Sequence, residues 1–266
     1  MTAETRELMR RAGVQPDGTG DKHFLVDDRV LDRIVGYAPD ADGAHALEVG
    51  GGVGNLTARL AEKYDRVTVV EVDSELARFL DGEFSDNVDV VHGDATDVSL
   101  PDFDVSVSNL PYSASSPLLF RLLPHSAPLV VTVQKEFAER AVAEPGDDNY
   151  GRLSVTTGRY ADAEILETVP PSAFSPPPEV ESAVIRFEPH KVRGDGFFDD
   201  VVRAVFTQRR KTLRNALRNT THMTGVDENA VDAVPEELLS KRPGKMTPDD
   251  FERVADALRA AAHPDG

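Results

Sequence analysis

The chain has no cysteine, no tryptophan and only 7 lysines among its 266 residues. Without cysteine there is no disulfide framework, no thiolate metal site and no cysteine nucleophile. Long apolar runs are missing as well: none approaches the roughly 20 residues that a membrane-spanning helix needs. The first thirty residues hold no apolar core of a signal peptide, so a cytoplasmic protein without membrane association is expected. Positive charge is scarce, with 28 Asp and 19 Glu against 22 Arg and 7 Lys and a net charge of −18. Apolar residues still make up 40% of the chain, enough for a proper core, which excludes a disordered acidic polymer. An Asp-rich, Lys-poor surface is the composition expected of a salt-loaded cytoplasm, that of a halophile. At about 1 M salt the Debye length is only about 3 Å, so this acidity does not bar contact with a polyanion.

The length suits one full α/β domain with a small companion. From Ala44 to about Glu188, short Val-rich runs alternate with amphipathic stretches of helix length, the pattern of a sheet with crossover helices. Strands are predicted at His45–Val49, Arg66–Glu71, Val88–Val91, Asp104–Ser108, Leu129–Gln134, Glu164–Val169 and Ser182–Phe187, which makes one doubly wound, seven-stranded sheet. Helices are predicted at Leu56–Lys63, Ser74–Gly82, Ser116–Leu123, Lys135–Ala143 and Tyr150–Tyr160. Five prolines make Pro170–Pro178 an extended loop. Beyond Pro189 the pattern turns helical, over Phe197–Asn219, Glu228–Ala233, Pro235–Ser240 and Thr247–Ala262, the last opened by Thr247 as cap and Pro248 in the first turn. A boundary near residues 188–196 divides a catalytic domain, 1–190, from a helical domain, 191–266.

The first strand runs into Gly50-Gly51-Gly52-Val53-Gly54, a glycine-rich turn between a buried strand and a helix N-terminus. Backbone can approach a ligand closely there, at the carboxyl edge of the sheet. The dinucleotide pattern G-x-G-x-x-G fails in both registers, because Asn55 and Thr57 stand where its last glycine belongs. The next two strands end in Glu71 and Asp94. A carboxylate at the first position can accept hydrogen bonds from ribose hydroxyls, and one at the second can meet an adenine amino group. Each is also a common helix-capping residue, and taken singly either reading is open.

The fourth strand ends in Asn109-Leu110-Pro111-Tyr112, which resembles the N-[PL]-P-[YF] motif of amino methyltransferases that use S-adenosylmethionine. An exocyclic adenine amine is a poor nucleophile because its lone pair is delocalised into the ring. Hydrogen bonds from N6–H to the Asn109 side-chain oxygen and the Leu110 carbonyl would pull that nitrogen towards sp³ geometry. Pro111 would fix the backbone so that this carbonyl points inward, and Tyr112 would stack on a flipped base. Neither a metal nor a general base is required.

Further strings extend the likeness. Gly20-Asp21-Lys22-His23-Phe24-Leu25-Val26-Asp27, Gln134-Lys135-Glu136, Tyr150-Gly151-Arg152-Leu153-Ser154 and Phe174-Ser175-Pro176-Pro177-Pro178-Glu179-Val180-Glu181-Ser182-Ala183-Val184 resemble elements of the KsgA-type small-subunit rRNA adenine N6,N6-dimethyltransferases over nearly the whole chain. The resemblance implies a Rossmann-like class I methyltransferase sheet and an enzyme that dimethylates two adjacent adenosines in the 3′-terminal hairpin loop of 16S rRNA, with a part in ribosome biogenesis; nothing in the sequence demands more than a monomer. It further implies that residues 1–43 lead into the S-adenosylmethionine site. There His23, Leu25 and Gly52 would touch the cofactor, Gly50 would pass its methionine part, Glu71 would bind its ribose and Asp94 its adenine, while Asn109 would stand between cofactor and target. Phe174 would close the second face of the flipped adenine. Two departures stand out, Lys22 where the family commonly has Gln and Gly51 where it commonly has Pro; they suggest a looser or differently arranged loop. Between Arg203 and Asn219 the chain carries Arg203, Arg209, Arg210, Lys211, Arg214 and Arg218 and no acid. Such a segment reads as a phosphate-binding face for rRNA, or else as a helix whose charges offset the acidic surface. Methylation of large-subunit rRNA, ribosome assembly through binding alone, and DNA adenine methylation are the competing readings.

Overall fold

A computed structural model describes residues 3–13, 23–84, 86–192 and 195–262. Gly20–Lys22 of the N-terminal string and Arg193–Gly194 of the boundary segment lie outside the described residues. The strands are β1 (Phe24–Leu25), β2 (His45–Val49), β3 (Arg66–Glu71), β4 (Val88–His92), β5 (Val105–Asn109), β6 (Leu129–Gln134), β7 (Ala161–Val169), β8 (Phe174–Ser175) and β9 (Ser182–Pro189). The seven longer ones are those expected from the Val-rich runs, and they form one sheet in the order β4-β3-β2-β5-β6-β9-β7. Central strands are covered on both faces, which is why β2, β5 and β6 are buried along nearly their whole length, the polar Glu48, Ser106, Ser108 and Thr132 included.

Strands β2 to β6 pair in parallel, and β9 returns antiparallel beside β6, so the α/β sheet is mixed. The chain moves outward from β2 through β3 and β4, then comes back to β5 on the other side of β2. That reversal opens a crevice beyond the carboxyl ends of β2 and β5. Two features stand outside the expected elements, although the first buries Val30, Leu31, Ile34 and Val35 at helical spacing. A helix over Asp28–Tyr37 is capped by Asp27, whose carboxylate accepts from the Arg29 and Val30 amides. In addition, β1 and β8 pair with each other, Leu25 opposite Phe174, and tie the N-terminal segment to the proline-rich loop.

The contacts divide the chain into two compact units, residues 1–138 with 162–189, and residues 139–161 with 190–266. The sequence boundary at 190 therefore needs one correction: the segment Glu139–Ala161 belongs to the second unit. Its Tyr150 and Val155 are buried with Phe198, Val202, Leu213 and Phe251 in that unit's own core. A second correction concerns Phe197–Asn219, which is two helices, Gly196–Phe206 and Leu213–Asn219. The Thr207 hydroxyl donates to the Ala204 carbonyl, and the Leu213 amide donates to Lys241 instead of to a preceding turn. Glu228–Ala233 is a 3₁₀ helix, whereas Pro248–Ala262 starts as its sequence indicates, with the Asp250 amide donating to Thr247 Oγ1. Among the described residues no helix is long and apolar enough to cross a membrane.

The Tyr150 hydroxyl donates to the Met246 carbonyl at 2.7 Å inside the second core, where burial raises the phenol's pKa. Tyr150→Phe should cost about 1–2 kcal/mol, because a buried carbonyl loses its donor. Denaturant titration in high potassium chloride reads this as a lower midpoint; an unchanged midpoint would show that the bond adds nothing to stability.

Candidate active site

The glycine turn after β2 lets backbone amides face the crevice. Gly52 has φ of +55°, a conformation that L side chains rarely adopt, and its amide donates to Glu71 Oε2 at 2.9 Å. The Asp73 amide donates to Oε1 of the same carboxylate at 2.9 Å. Asp73, and not Glu71, caps the following helix. The open question at Glu71 is thus answered against the cap, and each of its oxygens retains lone pairs for a further donor. Asp94 is different. Its Oδ1 takes both the Thr96 hydroxyl and the Thr96 amide, and these bonds hold its carboxyl below the usual range. Asp94 therefore braces its own turn, with Oδ2 outside those two bonds.

These strand ends enclose a cavity of about 400 Å³. His23, Gly50, Gly52, Glu71, Asp94 and Asn109 line it, and Leu110, Pro111 and Tyr112 form part of the same wall. Two expected residues do not reach it. Leu25 is buried behind the glycine turn, where its carbonyl accepts from Asn55 Nδ2. Phe174, 3% exposed, packs in the core of the sheet unit opposite Leu25, so the aromatic expected over the target base is a packing residue here. Val72, which sequence reasoning passed over, also lines the cavity and is 64% exposed. Its signal was an apolar residue between two acids just past the end of β3.

Asn109 ends β5. Its Nδ2 donates to the His23 carbonyl at 3.3 Å, while Oδ1 is buried with no hydrogen-bond partner among the described residues. A buried amide oxygen left unpaired costs free energy unless a ligand donates to it. His23 Nδ1 lies 2.9 Å from the Pro176 carbonyl, which can only accept, so Nδ1 carries the hydrogen. The His23 and Tyr112 rings stack with centroids 5.8 Å apart. Gly51 corrects the expectation of a looser loop: a Cβ there would come within 2.4 Å of Val69 Cγ1 and 2.8 Å of Leu80 Cδ1, so the turn is tightly packed.

The six basic residues lie in the second unit and separate into groups. Arg203 pairs with Asp200, Arg214 with Asp232 and Glu236, and Arg218 with Glu228 and Asp232. Arg209 donates to the Asp147 and Asp148 carbonyls. Arg210 and Lys211 are exposed in the turn between the two helices and make no ion pair with the described residues. A single basic face over the whole segment is thus not what the structure presents.

A mixed sheet of this order with a nucleoside-sized crevice at its switch point defines a class I methyltransferase. The ribosomal RNA adenine dimethylase profile matches residues 20–252, and the chain belongs to that family. It is 56% identical over 97% of its length to a "probable ribosomal RNA small subunit methyltransferase A" of Natronomonas pharaonis, covering 98% of that protein. Identity to the Haloarcula marismortui protein of the same name is 52%, with 99% and 97% covered. Among solved structures, a dimethyladenosine transferase from Plasmodium falciparum is similar at TM-score 0.75 and 28% identity, with 90% of this chain and 98% of that one covered. The 23S rRNA methyltransferase ErmE is similar at TM-score 0.61 and 25% identity, with 89% and 99% covered.

Glu48, beside the cavity's glycine turn, is wholly buried and accepts from the Thr57 hydroxyl at 2.6 Å, joining β2 to the helix Asn55–Lys63. Burial pushes its carboxyl up to about 8, against a lowering by Thr57, and the nearby Glu71 charge adds to the rise. Between the ordinary carboxylate range and pH 8 the unfolded chain releases this proton while the folded chain keeps it, so stability falls as pH rises through that window. Glu48→Gln keeps an acceptor for Thr57 and cannot ionise. Thermal melts from pH 5 to 9 should show a flatter profile than wild type; parallel profiles would mean that Glu48 is already ionised in the fold.

Proposed function

We propose that this methyltransferase dimethylates N6 of two adjacent adenosines in the 3′-terminal hairpin loop of 16S rRNA, in the cytoplasm, and takes part in small-subunit biogenesis. The observation that carries the chemistry is the buried Asn109 Oδ1, without a hydrogen-bond partner among the described residues, at the wall of a cavity that Glu71 and Asp94 also line. When bound, S-adenosylmethionine would supply a methyl group on a positively charged sulfur. The residues present fit it. Glu71 would accept from the ribose hydroxyls, Asp94 Oδ2 from the adenine amine, and Val72 would lie against the apolar face of that ring.

Asn109 Oδ1 and the Leu110 carbonyl would accept the two N6–H bonds of a target adenosine. Accepting both draws the nitrogen lone pair out of conjugation and aims it at the methyl donor. Tyr112 would stack on the base, which a loop releases at lower cost than a duplex does. In the second unit, Arg210 and Lys211 are the cations best placed for phosphate, because they hold no competing carboxylate, while Arg203, Arg209, Arg214 and Arg218 would first have to exchange their partners. The names of the haloarchaeal relatives support the small subunit as substrate.

The deciding experiment incubates the protein in high potassium chloride with labelled S-adenosylmethionine and unmodified small subunits, naked small-subunit rRNA or large-subunit rRNA, and identifies nucleosides by mass spectrometry. N6,N6-dimethyladenosine confined to the small-subunit substrates is expected; label in large-subunit rRNA would overturn the assignment. Asn109→Ala should lower methylation by at least about 100-fold, because the target nitrogen loses its orienting acceptor, and should leave subunit binding in place. Loss of binding in parallel would place Asn109 in the fold instead. Arg210→Ala with Lys211→Ala should reduce the slope of log affinity against log salt by about 2, near 1 per phosphate contact. An unchanged slope would assign contact to the acid-paired arginines.

A further inference from the structure

Each transfer would form an N6–methyl bond as the sulfur–methyl bond breaks, with the neutral thioether as leaving group and one N6 proton lost to water, so the product of the first reaction is the substrate of the second, on the same nitrogen. The amine must turn so that its lone pair faces the donor again while the base keeps its plane. Whatever holds the stacking ring in place is therefore tested twice in each catalytic sequence, and more severely the second time, because a methyl group now occupies part of the pocket.

Tyr112 follows Pro111, whose φ of −60° and ψ of 132° turn the chain into a short 3₁₀ segment over Tyr112–Ala114. A tyrosine on such a turn has two rotatable side-chain bonds and would sample several ring orientations if only its backbone were fixed. Among the described residues, two contacts hold the ring. One is the His23 stack, itself fixed by the bond from His23 Nδ1 to Pro176 and by the Asn109 Nδ2 bond to the His23 carbonyl. The other is the phenol oxygen, 2.6 Å from Ser182 Oγ. Ser182 is the first residue of β9, wholly buried and paired opposite Gln134 of β6. A serine hydroxyl at the edge of a paired core strand cannot drift with the loop, so the rigid sheet reaches the stacking ring through one short hydrogen bond.

We infer that Ser182 is a positioning residue for the second methyl transfer: it anchors the Tyr112 hydroxyl to the sheet and keeps the stacking plane fixed while a monomethylated adenine turns in the pocket. The inference rests on the adenine N6 reading above. It assigns Ser182 no contact with cofactor or base.

The test is Ser182→Ala on unmodified small subunits with N6-monomethyl- and N6,N6-dimethyladenosine quantified over time. The first transfer should slow by about threefold or less and the second by about tenfold, since small misplacements of a reacting atom carry large rate penalties. Monomethyladenosine should then accumulate, while S-adenosylmethionine affinity and the KM for the subunit stay at the wild-type values. Tyr112→Phe keeps the ring and removes the same bond, so it should give the same product ratio, and the double variant should be no worse than either single one. If Ser182→Ala proves unstable, Tyr112→Phe against wild type carries the comparison, because it leaves the buried strand untouched. Wild-type product ratios in both variants, or additive losses in the double one, would overturn the positioning role. A wild-type protein that makes no N6-methylated adenosine would overturn the functional reading itself, which the wild-type reaction alone reveals.

Discussion

Two backbone amides converge on one carboxylate at the centre of this fold. Gly52 and Asp73 come from the turns after adjacent strands, and both donate to Glu71. Parallel strands bring their carboxyl ends to one edge, and the turns there must satisfy their amides without ladder partners. A buried carboxylate solves that problem and, by the same bonds, sets the distance between the two turns. Both turns border the cavity, and the carboxylate they share still has lone pairs to offer. Glu48 makes a different tie, joining β2 to the next helix through the Thr57 hydroxyl, in a buried site that pushes its carboxyl up to about 8.

The sheet and the core of the site were legible in the sequence because both rest on local signals. A short Val-rich run bounded by polar turns marks a strand, and each of the seven expected runs forms one. The cavity lining follows from the same logic: in such a sheet it is built at the strand ends, where Gly50, Glu71, Asp94 and Asn109 are found. Pro111 marks the turn that sets Leu110 and Tyr112 on the same wall.

What escaped the sequence depends on partners far along the chain. The pairing of β1 with β8 spans two residues on each side, too few for any periodicity, and it is this pairing that draws Phe174 into the core and away from the cavity. Apolar spacing through Val201, Val205, Leu213 and Leu217 continues as if one helix ran on; the break comes from a hydroxyl and a carbonyl that offer alternative bonds at Thr207 and Leu213. Residues 139–161 lie between strands of the sheet yet join the other unit, because the burial of Tyr150 and Val155 decides membership and position along the chain does not.

The basic segment shows how far charge counting reaches. Six cations without an acid between them look like one patch, but Asp200, Asp232, Glu228 and Glu236 fold back to meet three of them. Exposed pairs of this kind are worth about 0–1 kcal/mol and weaken in salt. Concentrated salt therefore loosens the internal pairs, but it also lowers the counterion-release gain from binding a polyanion. An acidic protein working under those conditions gains little from diffuse positive charge and more from a few cations with no pair to break. Arg210 and Lys211, at a turn between two helices, meet that requirement: they are exposed and separated from the carboxylates that claim Arg214 and Arg218. Under the proposed function, selectivity for the target would then rest on contacts that salt does not screen, the stacking proposed at Tyr112 and the hydrogen bonds proposed at Asn109.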